Sequence, residues 1–250
     1  MLRSKAAALA QDSWPTETAP SSLTSLPQVL RVQSDLWVMF PTGREGGSAA
    51  PEAACGAAPS DREVESFWRR CEGFLTRGAA GEEEEAAAGE AAAALRAQVM
   101  TQVSKLALFH SVPQSAHLAA GLVSHWTGPH PEVAGLAKET CRFMKKSDAE
   151  ALPGVYLLAM QRAYERAKAA PPALPSGLAD DEDEEEEGGA AAEAWDAFLA
   201  LSQRIAASHA GFNAAGGVLA YVCGEGGRWA VAGGPDRVEF LSVSGLVPRS

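Results

Sequence analysis

Residues 130–148, HPEVAGLAKETCRFMKKSD, decide how the rest of the chain is read. Val133, Leu136, Ala137, Thr140 and Met144 recur at intervals of three and four, which places them on one face of a helix. Lys138, Glu139, Arg142, Lys145 and Lys146 fall mostly off that stripe and are expected in solvent. Pro131 stands where the first turn tolerates a missing N–H. The basic residues gather in the last turns, opposite the partial negative charge of the helix end. The stretch is built to be packed against, and it carries no evident chemistry.

Outward from it the same pattern repeats. A helix is predicted from Thr24 to Phe40, stopped by Pro41. Ser60 or Asp61 is expected to cap the next, whose face is Val64, Phe67, Trp68, Cys71, Phe74 and Leu75. Leu95, Val99, Met100, Val103, Leu106, Ala107 and His110 form a third stripe, broken by Pro113. SAHLAAGLVSHW (115–126) predicts a short helix ended by TGPHP. Asp148 to Ala170 predicts the partner of the opening helix, with Leu152, Val155, Tyr156, Ala159, Met160, Ala163 and Tyr164 inward. After a break, Trp195, Phe198, Leu199, Ser202, Ile205 and Ala206 make another face. GFNAAGGVLAYVC (211–223) predicts a shorter helix. GEGGRWAVAGGPD (224–236) reads as a turn with at most a scrap of two-stranded sheet, and Arg237 to Ser244 as a last segment.

Composition agrees with helix. The 250 residues are 46% hydrophobic but only 7% aromatic, with many alanines and few β-branched residues. The net charge of −11 is concentrated in Glu82 to Glu85 and Asp180 to Glu187; removing those twelve charges leaves +1. Like-charge blocks repel themselves and resist folding. The expected organisation is a flexible segment 1–22 and a helical-repeat region 23–170 with loops at 41–60 and 77–91. An acidic linker 171–192 and a terminal helical segment 193–246 complete it. Helix, short turn, helix, repeated without a residue-by-residue consensus, suits an all-α solenoid of HEAT-like pairs; an ordinary helical bundle is the alternative.

Candidates for chemistry are thin. Four cysteines, Cys55, Cys71, Cys141 and Cys223, lack CxxC spacing and read as free thiols in a reducing compartment. A lowered thiol pKa is conceivable for Cys141 beside its basic neighbours, yet no histidine is spaced to act as its base. His110, His117, His125 and His130 invite a metal reading, but no carboxylate or cysteine sits at a compensating spacing, so they read as surface or helix-end residues. The glycines of GFNAAGG and GEGGRW lack the lysine of a phosphate loop. No enzyme, metal or cofactor is expected. Arg142, Lys145 and Lys146 form the one basic patch offered for contact, together with the weaker Arg69, Arg70 and Arg77. Such cations can support weak, salt-sensitive contact with DNA, but a solvated helix face is the favoured reading. No apolar run approaches the ~20 residues that span a bilayer, and MLRSKAAALAQ is too short for a secretory core. The terminal SGLVPRS resembles a protease-site scar but lacks the glycine that usually precedes its last serine.

Five segments in order resemble the C-terminal part of the HEAT-repeat region in the stromal-antigen (SA/STAG) subunits of cohesin. They are SDLWVMFPTGREG (34–46), VSKLALFHSVPQSAHLAAGLVSHW (103–126), LAKETCRFMKK with LPGVYLLAMQRAYERA (136–167), FLALSQRIAASHAGFNAAGGVLAYV (198–222) and RVEFLSVSG (237–245). The match covers about residues 26–245 and departs at GEGGRWAVAGGPD. It implies a scaffold that binds the kleisin chain and, through it, the SMC subunits. Such a scaffold docks cohesin regulators, helps hold the ring on chromatin, and works in the nucleus on chromosomes. A generic α-solenoid adaptor unrelated to cohesin is the competing expectation.

Overall fold

The computed structural model describes residues 26–39, 59–76, 86–110, 112, 114–170, 189–209, 215–234, 237 and 240. The acidic runs, residues 1–22, Cys55 and Arg77 lie outside them. Among the described residues the protein is all-α. Helix α1 spans Leu26–Met39, α2 Asp61–Thr76, α3 Ala86–Leu108 and α4 Ser115–Val123. These are followed by α5 Pro131–Ser147, α6 Leu152–Ala169, α7 Gly189–His209 and α8 Ala215–Ala232.

The ends follow local chemistry. Ser60 and Glu63 form a reciprocal capping box at α2: the Glu63 carboxylate accepts from the Ser60 N–H at 2.7 Å, and the Ser60 hydroxyl accepts from the Glu63 N–H at 3.3 Å. Pro131 occupies the first turn of α5. Asp148 Oδ1 accepts the Ala151 N–H ahead of α6. His110, just past α3, takes a left-handed φ of 47°. Its ring is held by the Ser115 hydroxyl at 3.2 Å and Asp148 at 3.4 Å.

Two long helices organise the packing. Helix α3 buries Val99, Met100, Val103 and Leu106 and meets α1, α2, α4 and α5. Helix α6 buries Val155, Tyr156, Met160 and Tyr164 and meets α4, α5, α7 and α8. The shortest helix, α4, has buried Leu118, Ala119, Ala120, Leu122 and Val123, so it is apolar nearly all round and sits between the two. Every pair of well-packed helices is one or two apart in chain order. Tyr164 gathers Trp195, Phe198, Trp229 and Phe240 around its ring with centroids 5.5–6.1 Å apart, joining α6, α7, α8 and the segment after α8.

The opening stretch behaves as its spacing predicts: Val133, Ala137, Thr140 and Met144 are buried and Leu136 partly so. Polar cross-ties pin α5 to α3. The Ser104 hydroxyl donates to Thr140 Oγ1 at 2.9 Å, since Thr140 spends its own proton on the Leu136 carbonyl. Arg96 meets Glu132 at 2.6 Å with both side chains nearly buried. Burial alone would raise the Glu132 pKa, but Arg96, with a backbone N–H at the helix start and His130, holds the carboxyl below its usual range.

Three expectations need correction. The predicted loop 77–91 ends early, because α3 begins at Ala86, and α7 begins at Gly189 inside the predicted linker 171–192. Alanine-rich ends extend a helix that periodicity alone cannot see. The larger correction is GEGGRWAVAGGPD. Residues 224–232 are neither turn nor strand but the second half of α8. Glycine weakens a helix, yet here Gly226 lets the backbone approach Leu157 and Phe240; a Cβ would meet both at 3.3 Å. Val222, Ala230 and Phe240 are buried on that side. Tertiary burial outweighs the local preference.

Candidate interaction groove

Trp68 from α2, Leu158, Gln161, Arg162, Glu165 and Arg166 from α6, and Trp229 from α8 line an open groove of about 440 Å³. Glu65, Glu72 and Arg237 complete it. Helix α6 supplies its wall because residues 158, 162, 165 and 166 share the face opposite its buried stripe.

The charges are arranged in pairs, with one exception. Arg237 donates to Glu165 at 3.1 Å while its guanidinium lies 4.3 Å over the Trp229 ring. Glu65 is engaged by Arg69 on its own helix at 3.1 Å. Arg166 forms a four-way junction: its Nη1 donates to Glu72 at 3.3 Å and to His125 Nε2 at 2.9 Å, and its Nη2 donates to the Ser124 carbonyl at 2.8 Å and hydroxyl at 3.2 Å. Ser124 in turn donates to the Gly121 carbonyl at 2.7 Å. Arg162 differs: its guanidinium lies 5.3 Å over Trp68 and has no hydrogen-bonded acceptor among the described residues.

The junction fixes protonation states. Because Arg166 donates to Nε2, His125 is the neutral tautomer with its proton on Nδ1. Its side chain is 11% exposed, and burial first, then the neighbouring Arg166 charge, press its pKa from 6.5 to about 4. Burial would raise Glu72, but the Arg166 and Arg162 charges beside it hold it below its ordinary value. Desolvation lowers the pKa values of Arg162 and Arg166, against the pull of nearby carboxylates. A second cavity of about 230 Å³ shares Arg166 and is lined by Leu75, His125, His130 and Phe198. There His130 Nε2–H donates to the Leu75 carbonyl at 3.0 Å, closing the end of α2.

The residues singled out in the sequence do not converge. Arg142 and Lys146 are exposed on the outer face of α5, with Arg142 loosely paired to Glu139 at 3.7 Å. Lys145 is half-buried and donates to the Ser208 carbonyl at 2.8 Å, so it holds the end of α7. Arg69 and Arg70 bond within α2. Cys141 is not activated: burial pushes its thiol up to about 12 and outweighs Lys145. Cys71 is likewise raised by burial, and Cys223 moves in the same direction. His125, read as a surface or helix-end residue, is buried in the junction; His117 is exposed. Among the described residues no group of three His, Cys, Asp or Glu side chains is placed to hold a metal, and no helix is long and apolar enough to cross a membrane.

Sequence reasoning missed Arg162, Arg166 and Arg237 as a set. No local signal marked them: α6 carries no tryptophan, and the rings that Arg162 and Arg237 meet, Trp68 and Trp229, belong to other helices. Comparison with protein-family descriptions, curated proteins and solved structures returns no match.

Proposed function

We propose that this chain is a HEAT-like helical platform that binds other protein chains, and specifically a segment of a cohesin accessory subunit of the SA/STAG kind. The observation that carries the platform reading is the outer face of α1. That helix buries Leu26, Leu30, Ser34 and Trp37, while Val29, Val32 and Met39 on its other side are 41%, 55% and 63% exposed. A helix with two apolar faces belongs inside a stack, where a further helix covers the second face. The cohesin assignment is supported by the five ordered segments, 34–46 through 237–245, and names the kleisin chain as the partner that leads to the SMC subunits. Exposed Arg142 and Lys146, four residues apart on α5, suit a weak contact with phosphates.

The test is retention of a purified kleisin fragment by the immobilised full chain, at low and high salt, with an unrelated helical-repeat protein as control. Selective retention is the expected result. Retention no greater than the control removes the cohesin assignment and leaves a generic adaptor.

A further inference from the structure

Among the described residues Arg162 is the one groove cation with no hydrogen-bonded acceptor. The three groove carboxylates are each engaged elsewhere: Glu165 by Arg237, Glu72 by Arg166, and Glu65 by Arg69. The half-buried Arg162 guanidinium therefore offers its donors to the groove. Its Cζ lies 5.3 Å from the centroid of the Trp68 ring, itself only 3% exposed, a cation–π contact that restrains the donor fork before any ligand arrives. Beside it the half-buried Leu158 and Trp229 give the groove an apolar side.

We propose that this groove receives a segment of a partner protein in which an Asp or Glu carboxylate docks on Arg162 and an adjacent bulky apolar side chain lies against Leu158 and Trp229. A carboxylate takes two parallel N–H bonds from a guanidinium, and tryptophan with arginine is the usual composition of the strongest interface positions. A nucleic acid fits less well. Its phosphates would bring a run of negative charge past Glu65, Glu72 and Glu165, whereas a single carboxylate meets the one guanidinium that has no hydrogen-bonded acceptor among the described residues. The proposal rests on the platform reading but not on kleisin being the partner.

The experiment uses the full chain and fluorescent peptides carrying Asp next to Phe or Leu, the same peptides with Asn for Asp, and a short DNA duplex, all followed by anisotropy. The Asp peptides are expected to bind at least about tenfold more tightly than their Asn counterparts. Arg162→Gln should abolish that preference while keeping the wild-type far-UV circular dichroism and a cooperative urea transition. Arg204→Gln is the control, since Arg204 lies over Trp126 at 5.7 Å outside the groove, and it should change nothing. Peptide preference unchanged in Arg162→Gln overturns the proposal, as does equal loss in Arg204→Gln, binding of no peptide, or DNA binding that depends on Arg162. Kleisin retention is measured on the same Arg162→Gln protein. If the peptides fail while kleisin is retained, the groove is refuted and the platform stands. Peptide binding without kleisin retention supports the groove and removes only the cohesin assignment.

Discussion

Gly121 is the position at which a single methyl group tests the joint between α2 and α4. A Cβ there would lie 2.7 Å from Cη2 and Cζ2 of Trp68 and 2.8 Å from Cε2. Carbon atoms in comfortable contact are about 3.5–4.0 Å apart, so the overlap is roughly 1 Å against a rigid ring. Trp68 has little room to retreat, because it is 3% exposed, carries Arg162 on one face, and lies 6.3 Å from the His125 ring. Overpacking of this kind costs about 1–3 kcal/mol. Replacing glycine by alanine inside a helix returns about 1 kcal/mol. The net expectation for Gly121→Ala is a loss of about 0–2 kcal/mol. Gly135→Ala is the matched control: Gly135 is exposed on the outer side of α5, a Cβ there meets nothing within 4 Å, and only the propensity gain applies. The two variants should be separated by the overpacking cost, about 1–3 kcal/mol, or on the order of 1 M in urea midpoint, with Gly121→Ala the less stable. Urea titrations followed by circular dichroism, with tryptophan emission reporting the displaced ring, provide the measurement. Equal stability of the two alanine variants would refute the packing of Trp68 on α4.

Two further outcomes follow from the protonation states. The folded-state pKa of His125 lies below its unfolded value, so its contribution is fully present above about 6.5 and is lost as the pH falls toward about 4. The loss is at most about 3 kcal/mol, and His125→Gln should flatten the stability profile across that window; an unchanged slope would contradict a buried neutral histidine. Cys71 and Cys141 should resist iodoacetamide in the folded chain and react once it is unfolded, as read by peptide mass mapping. Rapid labelling of Cys141 under native conditions would contradict its burial.

What the residue order determined alone is local. Stripes at three and four residues forecast the helices and their inward faces, and Ser60 with Glu63 and Pro131 forecast two of the beginnings, because capping and periodicity act within about one turn. Tertiary structure decided the rest. Residues 224–232 are helical where Leu157 and Phe240 pack on Gly226 and where Ala230 and Trp229 face the core. Lys145, on the sequence a member of a basic patch, was claimed by the end of α7. The junction joins Glu72 to Arg166 across 94 positions, with His125 buried beside them. No local rule reaches across such a separation: it is the burial of several apolar faces at once that brings these charges together, and the same burial then sets their pKa values.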